Sequence, residues 1–416
     1  MGTCYRDKVD KRTFLRHLHE AYEILDGKTE EDSGKPAYFR FLTLLCFRIF
    51  LEAEVDVAIL EVGLGGRLDA TNCIPMPVVC GVSALGFDHM NVLGYTLPEI
   101  SREKAGIFKQ GCPAFSVPQK PDAMQTLEEV ARSKQTPISI IEPLNAYDFT
   151  SNELQETVPA SLIKLGLPGE HQRENAALAI KLAAVWESRC GVLSNDKAKE
   201  RASMILEEYR LPKEYVSGLE DAKWPGRAEI FNDPESCNMT FFIDGAHTPE
   251  SLKACAEWFT YESKASSFSH DAIKRILVFN CMEEREPENL MGPLQQTLME
   301  RDCWPEQVVF TPTLSSYTKL QSLDHHVDTS WQQNLKSTWD QLPFIRADKV
   351  STSNGIGQEF SLNRLQRPTS VSNSLPETLE KLRHAAKVIK NKKLHVLVTG
   401  SLYLVGDMLK LLGKSA

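Results

Sequence analysis

Residues able to do chemistry stand where several apolar runs end. In VDVAILEVGLGGRLDATN (55–72) the run closes on Glu61, and the chain then turns into glycines. A dinucleotide fingerprint needs G-x-G-x-x-G. Gly63 and Gly65 fill the first two places, but the third falls on Leu68. That leaves the carboxylate. At the carboxyl end of a parallel strand it lies where open α/β sheets bind ligands. It also suits a hard cation, because Mg²⁺ takes one or two carboxylates together with phosphate oxygens and waters. A turn with a solvated Glu61 is the other reading of the stretch. In LGFDHMNVLG (85–94), Asp88 and His89 follow a second apolar run and so open on the same predicted sheet edge.

Further along, REKAGIFKQG (102–111) places Lys104 near a helix or turn. A desolvated lysine near a metal loses its charge and changes its chemistry; a plain surface lysine is the alternative. GEHQRENAALAIKLAAVW puts His171 and Asn175 four apart, on one helix face if the helix starts early enough. Both side chains can hydrogen-bond a base or ribose, and a helix cap explains them equally. WPGRAEI brings Arg227 out of a Pro-Gly turn, and arginine suits bidentate phosphate binding. FFIDGAHTPES ends an apolar strand on Asp244, placed to accept ribose hydroxyls, with His247 two residues past Gly245 and near a phosphate or substrate.

The elements that must position these groups follow from the apolar pattern. Helical spacing predicts helices over 12–26, 37–52, 97–108, 121–135 and Glu174–Ser188. VDVAILEV reads as a strand buried on both faces. PVVCGVSALG and CPAFSV supply further strands of a parallel α/β sheet. Residues 136–168 are strand-like and loop-rich. Past a polar boundary at 208–226, AEIFN, TFFID, RILVFN, QVVFTP and HVLVTGS read as strands of a second α/β unit. The Ser/Thr/Asn/Gln-rich stretch 313–375 reads mostly as a long surface loop or partial disorder.

Composition narrows the function. A chain of 416 residues holds about two or three domains. Apolar content of 42%, charged content of 25% and a net charge of −9 fit a soluble globular protein rather than a general nucleic-acid binder. Ten cysteines without a C-x-x-C pair read as scattered reduced thiols. No apolar run reaches the roughly 18 residues of a membrane helix, and the start has no signal-peptide core. Gly27-Lys28-Thr29 imitates a P-loop end, but the required earlier glycine falls at Tyr22. GVSALG is one residue too long for a nucleophile elbow.

Taken in order, EVGLGGRLDATN, GFDHMNVLG, REKAGIF, GEHQRENAALA, WPGR, DGAHTPES and VTGSLYLVG resemble the motifs of the folylpolyglutamate synthases, Mur-ligase-like ATP-dependent amide-forming ligases. PAYFRFLT and GIFKQGCPAF are eukaryotic in style. The resemblance implies a truncated Mur-ligase-like ATP/Mg-binding domain, mostly a parallel sheet and P-loop-like, over 1–217. A linker at 218–226 and a C-terminal Rossmann-like α/β ligase domain over 227–416 would follow, the latter carrying the polar loop 313–375. It implies that ATP phosphorylates the terminal γ-carboxylate of a folate (poly)glutamate, that L-glutamate attacks the acyl phosphate, and that ADP and phosphate leave. By position Glu61 and His89 match Mg²⁺ ligands. Lys104 matches a lysine carbamylated in relatives. Arg227 and Asp244 match ATP contacts, and His171 and Asn175 a nucleotide-proximal helix. His247 and Ser401 match groups near glutamate or phosphate, in an interdomain cleft assembled by closure.

A monovalent cation, a monomeric state and a cytoplasmic or mitochondrial location are further implications, with no nucleic-acid or membrane partner. The family's T-G-T-x-G-K-G-S loop is absent from these 416 residues. The resemblance therefore implies an N-terminally shortened member with impaired ATP turnover and a gap in its first sheet. A dihydrofolate synthase, another Mur-type ligase, or an inactive folate- or partner-binding fragment are the competing readings.

Overall fold

The computed structural model describes residues 9–27, 36–151, 156–190, 196–265, 272–315, 328–342, 368–389 and 392–414. The chain packs as two units. Unit 1 comprises Met1–Ser161 and Glu174–Lys213, and unit 2 comprises Leu162–Arg173 and Glu214–Ala416.

Unit 1 opens with two helices, Lys11–Asp26 (α1) and Tyr38–Glu52 (α2). Asp10 caps α1 by accepting the Arg12 and Thr13 N–H groups at 3.0 Å each. Strands Cys80–Val82 (β1), Ala114–Ser116 (β2) and Ile138–Ile140 (β3) form a parallel sheet in that order. Helices Met90–Leu93 (α3), Leu97–Lys104 (α4) and Pro121–Ser133 (α5) lie between them in sequence. Thr96 and Glu99 start α4 with a reciprocal capping box. Val82, Phe108, Ala114, Leu127 and Val130 fill the core beside β1 and β2. A smaller sheet joins Asp148–Thr150 (β4), antiparallel to Thr157–Pro159 (β5) and parallel to Arg210–Leu211 (β6). Helix Glu170–Arg189 (α6) enters unit 1 at Glu174, Asp196–Leu206 (α7) lies within it, and Lys213–Asp221 (α8) belongs to unit 2 from Glu214 on. The stretch expected as linker, 218–226, thus begins inside α8.

Unit 2 has one six-stranded sheet. Its strands are Glu229–Asp233 (β7), Ser236–Ile243 (β8), Ala272–Phe279 (β9), Gln307–Phe310 (β10), Thr369–Val371 (β11) and Lys392–Thr399 (β12), in the order β11-β10-β9-β12-β8-β7. Only the edge strand β7 runs antiparallel. Alternate side chains face opposite layers, as strand geometry requires. Phe242, Leu277, Phe279 and Leu397 pack under Pro249–Ala265 (α9), Pro287–Glu300 (α10) and Ser330–Gln341 (α11). Phe241, Ile243, Val278 and Val398 pack under Leu375–Val388 (α12) and Leu402–Leu411 (α13). Each such buried side chain contributes about 1.5–3 kcal/mol. Both faces are covered, which explains why these strands read as continuous apolar runs.

Two expectations are corrected. VDVAILEV is not a doubly buried strand: 55–62 joins no sheet among the described residues, and Ile59 is 88% exposed. A strand is buried on both faces only inside a laminate with neighbours on its edges, and β1 pairs with β2 alone. The stretch 313–375 is not mostly loop where it is described. It contains α11, whose Leu335 and Trp339 are buried, and β11. Its remaining parts, 316–327 and 343–367, lie outside the described residues. Helix α6 also begins at Glu170, four residues earlier than its apolar pattern suggested.

A buried polar group sits on β12. His395 is 1% exposed, its Nδ1 lies 2.9 Å from Ser263 Oγ, and Arg275 Nε donates to the same hydroxyl at 3.0 Å. Burial, aided by the charges of Arg275 and Lys393, pushes the imidazole down to about 4. The unfolded chain takes up that proton near 6.5, so the stability is fully present above that pH and is lost as pH falls toward 4. The loss amounts to about 3 kcal/mol for a shift of this size. His395→Asn is expected to flatten this window, read as the urea midpoint compared at pH 7.5 and pH 4.5.

Candidate active site

In unit 1 the glycine-rich turn is a packing surface. A Cβ on Gly66 would lie 2.7 Å from the Lys104 carbonyl oxygen, and one on Gly106 would lie 2.3 Å from Arg67 Cα. The two backbones touch, so GLGGR and REKAGIF form one piece. Arg67 N–H donates to the Glu103 carbonyl at 2.8 Å, and its guanidinium forks onto the Glu103 carboxylate at 2.9–3.2 Å. Asn72 Nδ2 donates to the carbonyls of Arg67 and Gly106. Asp69 accepts the Leu64 N–H at 3.0 Å and the Thr71 N–H at 2.9 Å. Burial raises its carboxyl, but these bonds and the Thr71 hydroxyl outweigh it and hold the group below its ordinary value.

That piece brings Asp88, His89 and Lys104 into one neighbourhood. His89 holds a left-handed backbone (φ 50°), a conformation found in few non-glycine residues and concentrated at functional sites. Its N–H donates to Asp88 Oδ1 at 2.8 Å, and its Nε2 lies 3.7 Å from Asp88 Oδ2. Lys104, half-buried at the end of α4, is held below the ordinary lysine value by burial, against the opposing Asp88 carboxylate. Glu61 is exposed and makes no ion pair with His89 or Lys104. Among the described residues no three His, Cys, Asp or Glu side chains converge as metal ligands.

In unit 2 three turns meet at the carboxyl ends of β8 and β12. Asp244 N–H donates to the Val398 carbonyl, Gly245 N–H to Gly226, and Gly400 N–H to Ala246, at 3.1, 2.9 and 3.1 Å. The Asp244 carboxylate accepts the Ala228 N–H at 2.8 Å and the Ala246 N–H at 2.9 Å. Burial pushes its pKa up. The Ala228 and Ala246 amides and the charges of Arg227 and His171 oppose that without cancelling it. His247 Nδ1 lies 2.9 Å from the Gly245 carbonyl. A carbonyl only accepts, so this ring nitrogen carries a proton. Ser251 Oγ accepts the N–H groups of His247 and Thr248 at 3.1 and 2.9 Å and so fixes the start of α9. Ser401, 3% exposed, caps α13 by accepting the Tyr403 N–H.

The structure therefore gathers Arg227, Asp244, His247, Ser401 and the charge of His171 in unit 2. Asn175, one turn along α6 from His171, is half-buried and belongs to unit 1. The unit 2 arrangement offers a carboxylate with lone pairs left for hydroxyl groups, a guanidinium, and the N-termini of α9 and α13, which favour anions. A cavity of about 500 Å³ lined by Tyr261, Lys264 and Arg301 lies elsewhere, at the opposite end of α9 from His247. Its cations sit at the carbonyl ends of α9 and α10, where they offset the helix dipoles.

Sequence reasoning missed Asn280. It follows β9, its backbone adjoins Gly400, and its Oδ1 accepts Gln332 Nε2 at 2.9 Å. Trp331 Nε1, from the same α11, donates to the Cys281 carbonyl at 2.7 Å. The four-residue spacing of Trp331, Leu335 and Trp339 was the available signal.

No family model matches the chain. A crystal structure of Mycobacterium tuberculosis folylpolyglutamate synthase complexed with ADP and AMPPCP aligns with 98% of this chain and 80% of that one, at a TM-score of 0.63 and 21% identity. The α/β fold, with its mostly parallel sheets, is thus shared with that structure. Among curated proteins, a folylpolyglutamate synthase of Arabidopsis thaliana is 38% identical over 437 residues, spanning 98% of this chain and 72% of its own length. The mitochondrial folylpolyglutamate synthase of Homo sapiens is 32% identical over 454 residues, spanning 96% and 73%. The chain belongs to the folylpolyglutamate synthases.

Asp88 is the charge that opposes the burial of Lys104. Asp88→Asn is expected to lower the Lys104 pKa further, read from the ¹³Cε shift of the lysine across a pH titration.

Proposed function

We propose that this chain is an ATP-dependent ligase that adds L-glutamate to the terminal γ-carboxylate of tetrahydrofolate (poly)glutamates. Kinship across 98% of the chain carries the reading, supported by the Arg227, Asp244, His247 and Ser401 cluster at the strand ends. A γ-carboxylate oxygen attacks the terminal phosphorus of ATP, ADP leaves, and an acyl phosphate forms. The glutamate amine then attacks the acyl carbon and phosphate departs. Such transfer is mostly positioning and charge neutralisation. Arg227 would meet phosphate charge, and Asp244 would accept ribose hydroxyls with the lone pairs its two amide contacts leave. The His247 ring, its Nδ1 tied to the Gly245 carbonyl, would lie near the glutamate or the phosphate, with Ser401 beside the transferred group. His171, whose charge reaches Asp244, would flank the nucleotide.

Residues 1–217 would serve as the ATP/Mg-binding domain and residues 227–416 as the C-terminal ligase domain. Mg²⁺ with a nucleotide needs only one or two protein ligands. Glu61, which is exposed and makes no hydrogen bond among the described residues, and the half-exposed His89 fit that modest demand. When bound, the ion supplies charge neutralisation at phosphate oxygens. The lowered pKa of Lys104 leaves more neutral amine, the form that takes up CO₂ as a carbamate. A monovalent cation and a monomeric state complete the reading. The location is the cytoplasm or the mitochondrion, the latter named for the human relative. No helix among the described residues is long and apolar enough to cross a membrane.

The 416 residues hold no T-G-T-x-G-K-G-S loop, so this polypeptide by itself should turn over ATP poorly. Backbone donors around transferring phosphates are worth about 100-fold or more in rate. ADP release with tetrahydrofolate and glutamate tests both parts. A form extended at its N terminus through such a loop should release ADP, and the 416-residue chain should be at least about 100-fold slower. Silence from the extended form would sink the ligase reading. Equal rates would sink the impairment.

A further inference from the structure

Two buried thiols in unit 1 have no part in this chemistry. Cys80 opens β1 and Cys112 lies two residues before β2. Their Sγ atoms are 3.8 Å apart, at 6% and 5% residual exposure. The backbone between them is pinned, since Cys80 N–H donates to the Pro113 carbonyl at 3.0 Å. Cys80 Sγ also reaches the Ile107 carbonyl at 3.5 Å, inside REKAGIF. No other two described cysteines make a sulfur–sulfur hydrogen bond. The segment between the two sulfurs carries Asp88, His89 and Lys104.

We propose that Cys80 and Cys112 form an oxidation site, a dithiol that a hydroperoxide converts to a disulfide bracketing the Asp88–His89–Lys104 segment. The sulfurs need close by only about 1.8 Å to reach bonding distance, near 2.05 Å. The sulfur–sulfur contact, with the Arg189 guanidinium assisting, holds the Cys112 thiol below its ordinary value despite burial. The same contact and burial push Cys80 up, against the charges of Lys109 and Lys134. Either sulfur can react first, and the chemistry is the same; for Cys112 it runs thus. Its thiolate attacks one peroxide oxygen, the O–O bond breaks, and hydroxide leaves to become water, giving a sulfenic acid. Cys80 sulfur then attacks the sulfenyl sulfur, the S–S bond forms and the S–O bond breaks. A second water departs with the Cys80 proton. Two electrons pass from the thiols to one peroxide.

The test uses the full chain carrying Cys46→Ser, Cys73→Ser and Cys237→Ser, which removes the thiols that are exposed among the described residues. The protein is treated with one equivalent of hydrogen peroxide, alkylated, digested and read by mass spectrometry. Linked peptides holding Cys80 and Cys112 are expected, with an intact mass lower by about 2 Da that dithiothreitol restores. The same link should form in the unsubstituted chain, which guards against a folding defect in the triple variant, and should vanish in Cys112→Ser. Recovery of both cysteines alkylated, or as separate sulfinic acids with no link, would overturn the proposal.

Discussion

Asp244 leaves β8 with each carboxylate oxygen accepting a backbone N–H, one from Ala228 and one from Ala246. Through those two bonds one side chain fixes the WPGRA turn against the strand end and shapes the turn that carries His247. The Gly400–Ala246 bond extends the tie to Ser401. Burial opposes the charge that makes this possible, and the amides, Arg227 and His171 answer it only in part. The site is thus organised around a carboxylate kept under electrostatic tension, with acceptor capacity left over. Remove the charge and two loops lose a common anchor.

The glycines of unit 1 illustrate a different constraint. GLGG suggested a phosphate loop, and the third glycine was missing. The structure gives the glycines another use, because Gly66 and Gly106 let two chain segments touch at backbone distance. The contact delivers Arg67 to Glu103 and holds the segment that ends in Lys104. Covalently distant motifs are thereby joined, and Cys80 Sγ reaches the Ile107 carbonyl of the second of them.

Much of this was legible in the residues. The strands of unit 2 announce themselves as unbroken apolar runs because both faces are covered, and Asp244 and Arg227 follow or flank their ends as the spacing predicts; Ser401 came from the family resemblance alone. What was not legible depends on partners. VDVAILEV carries the composition of a buried strand, yet burial is a property of the neighbours, and 55–62 has no sheet partner among the described residues. Helix α11 was hidden by polar composition, although its tryptophans and Leu335 keep a helical period. Asn280 became visible only when Gln332 was placed against it. Glu61 had looked like the point of its stretch, and the structure leaves its carboxylate exposed.

Amide hydrogen exchange with and without saturating ADP reads whether the turns tied by Asp244 hold the nucleotide. Slower exchange is expected at 226–228, 244–247 and 400–403 on adding ADP, with loss of that protection in Asp244→Asn. ADP-dependent protection confined to other segments, or protection undiminished by Asp244→Asn, would contradict that hold.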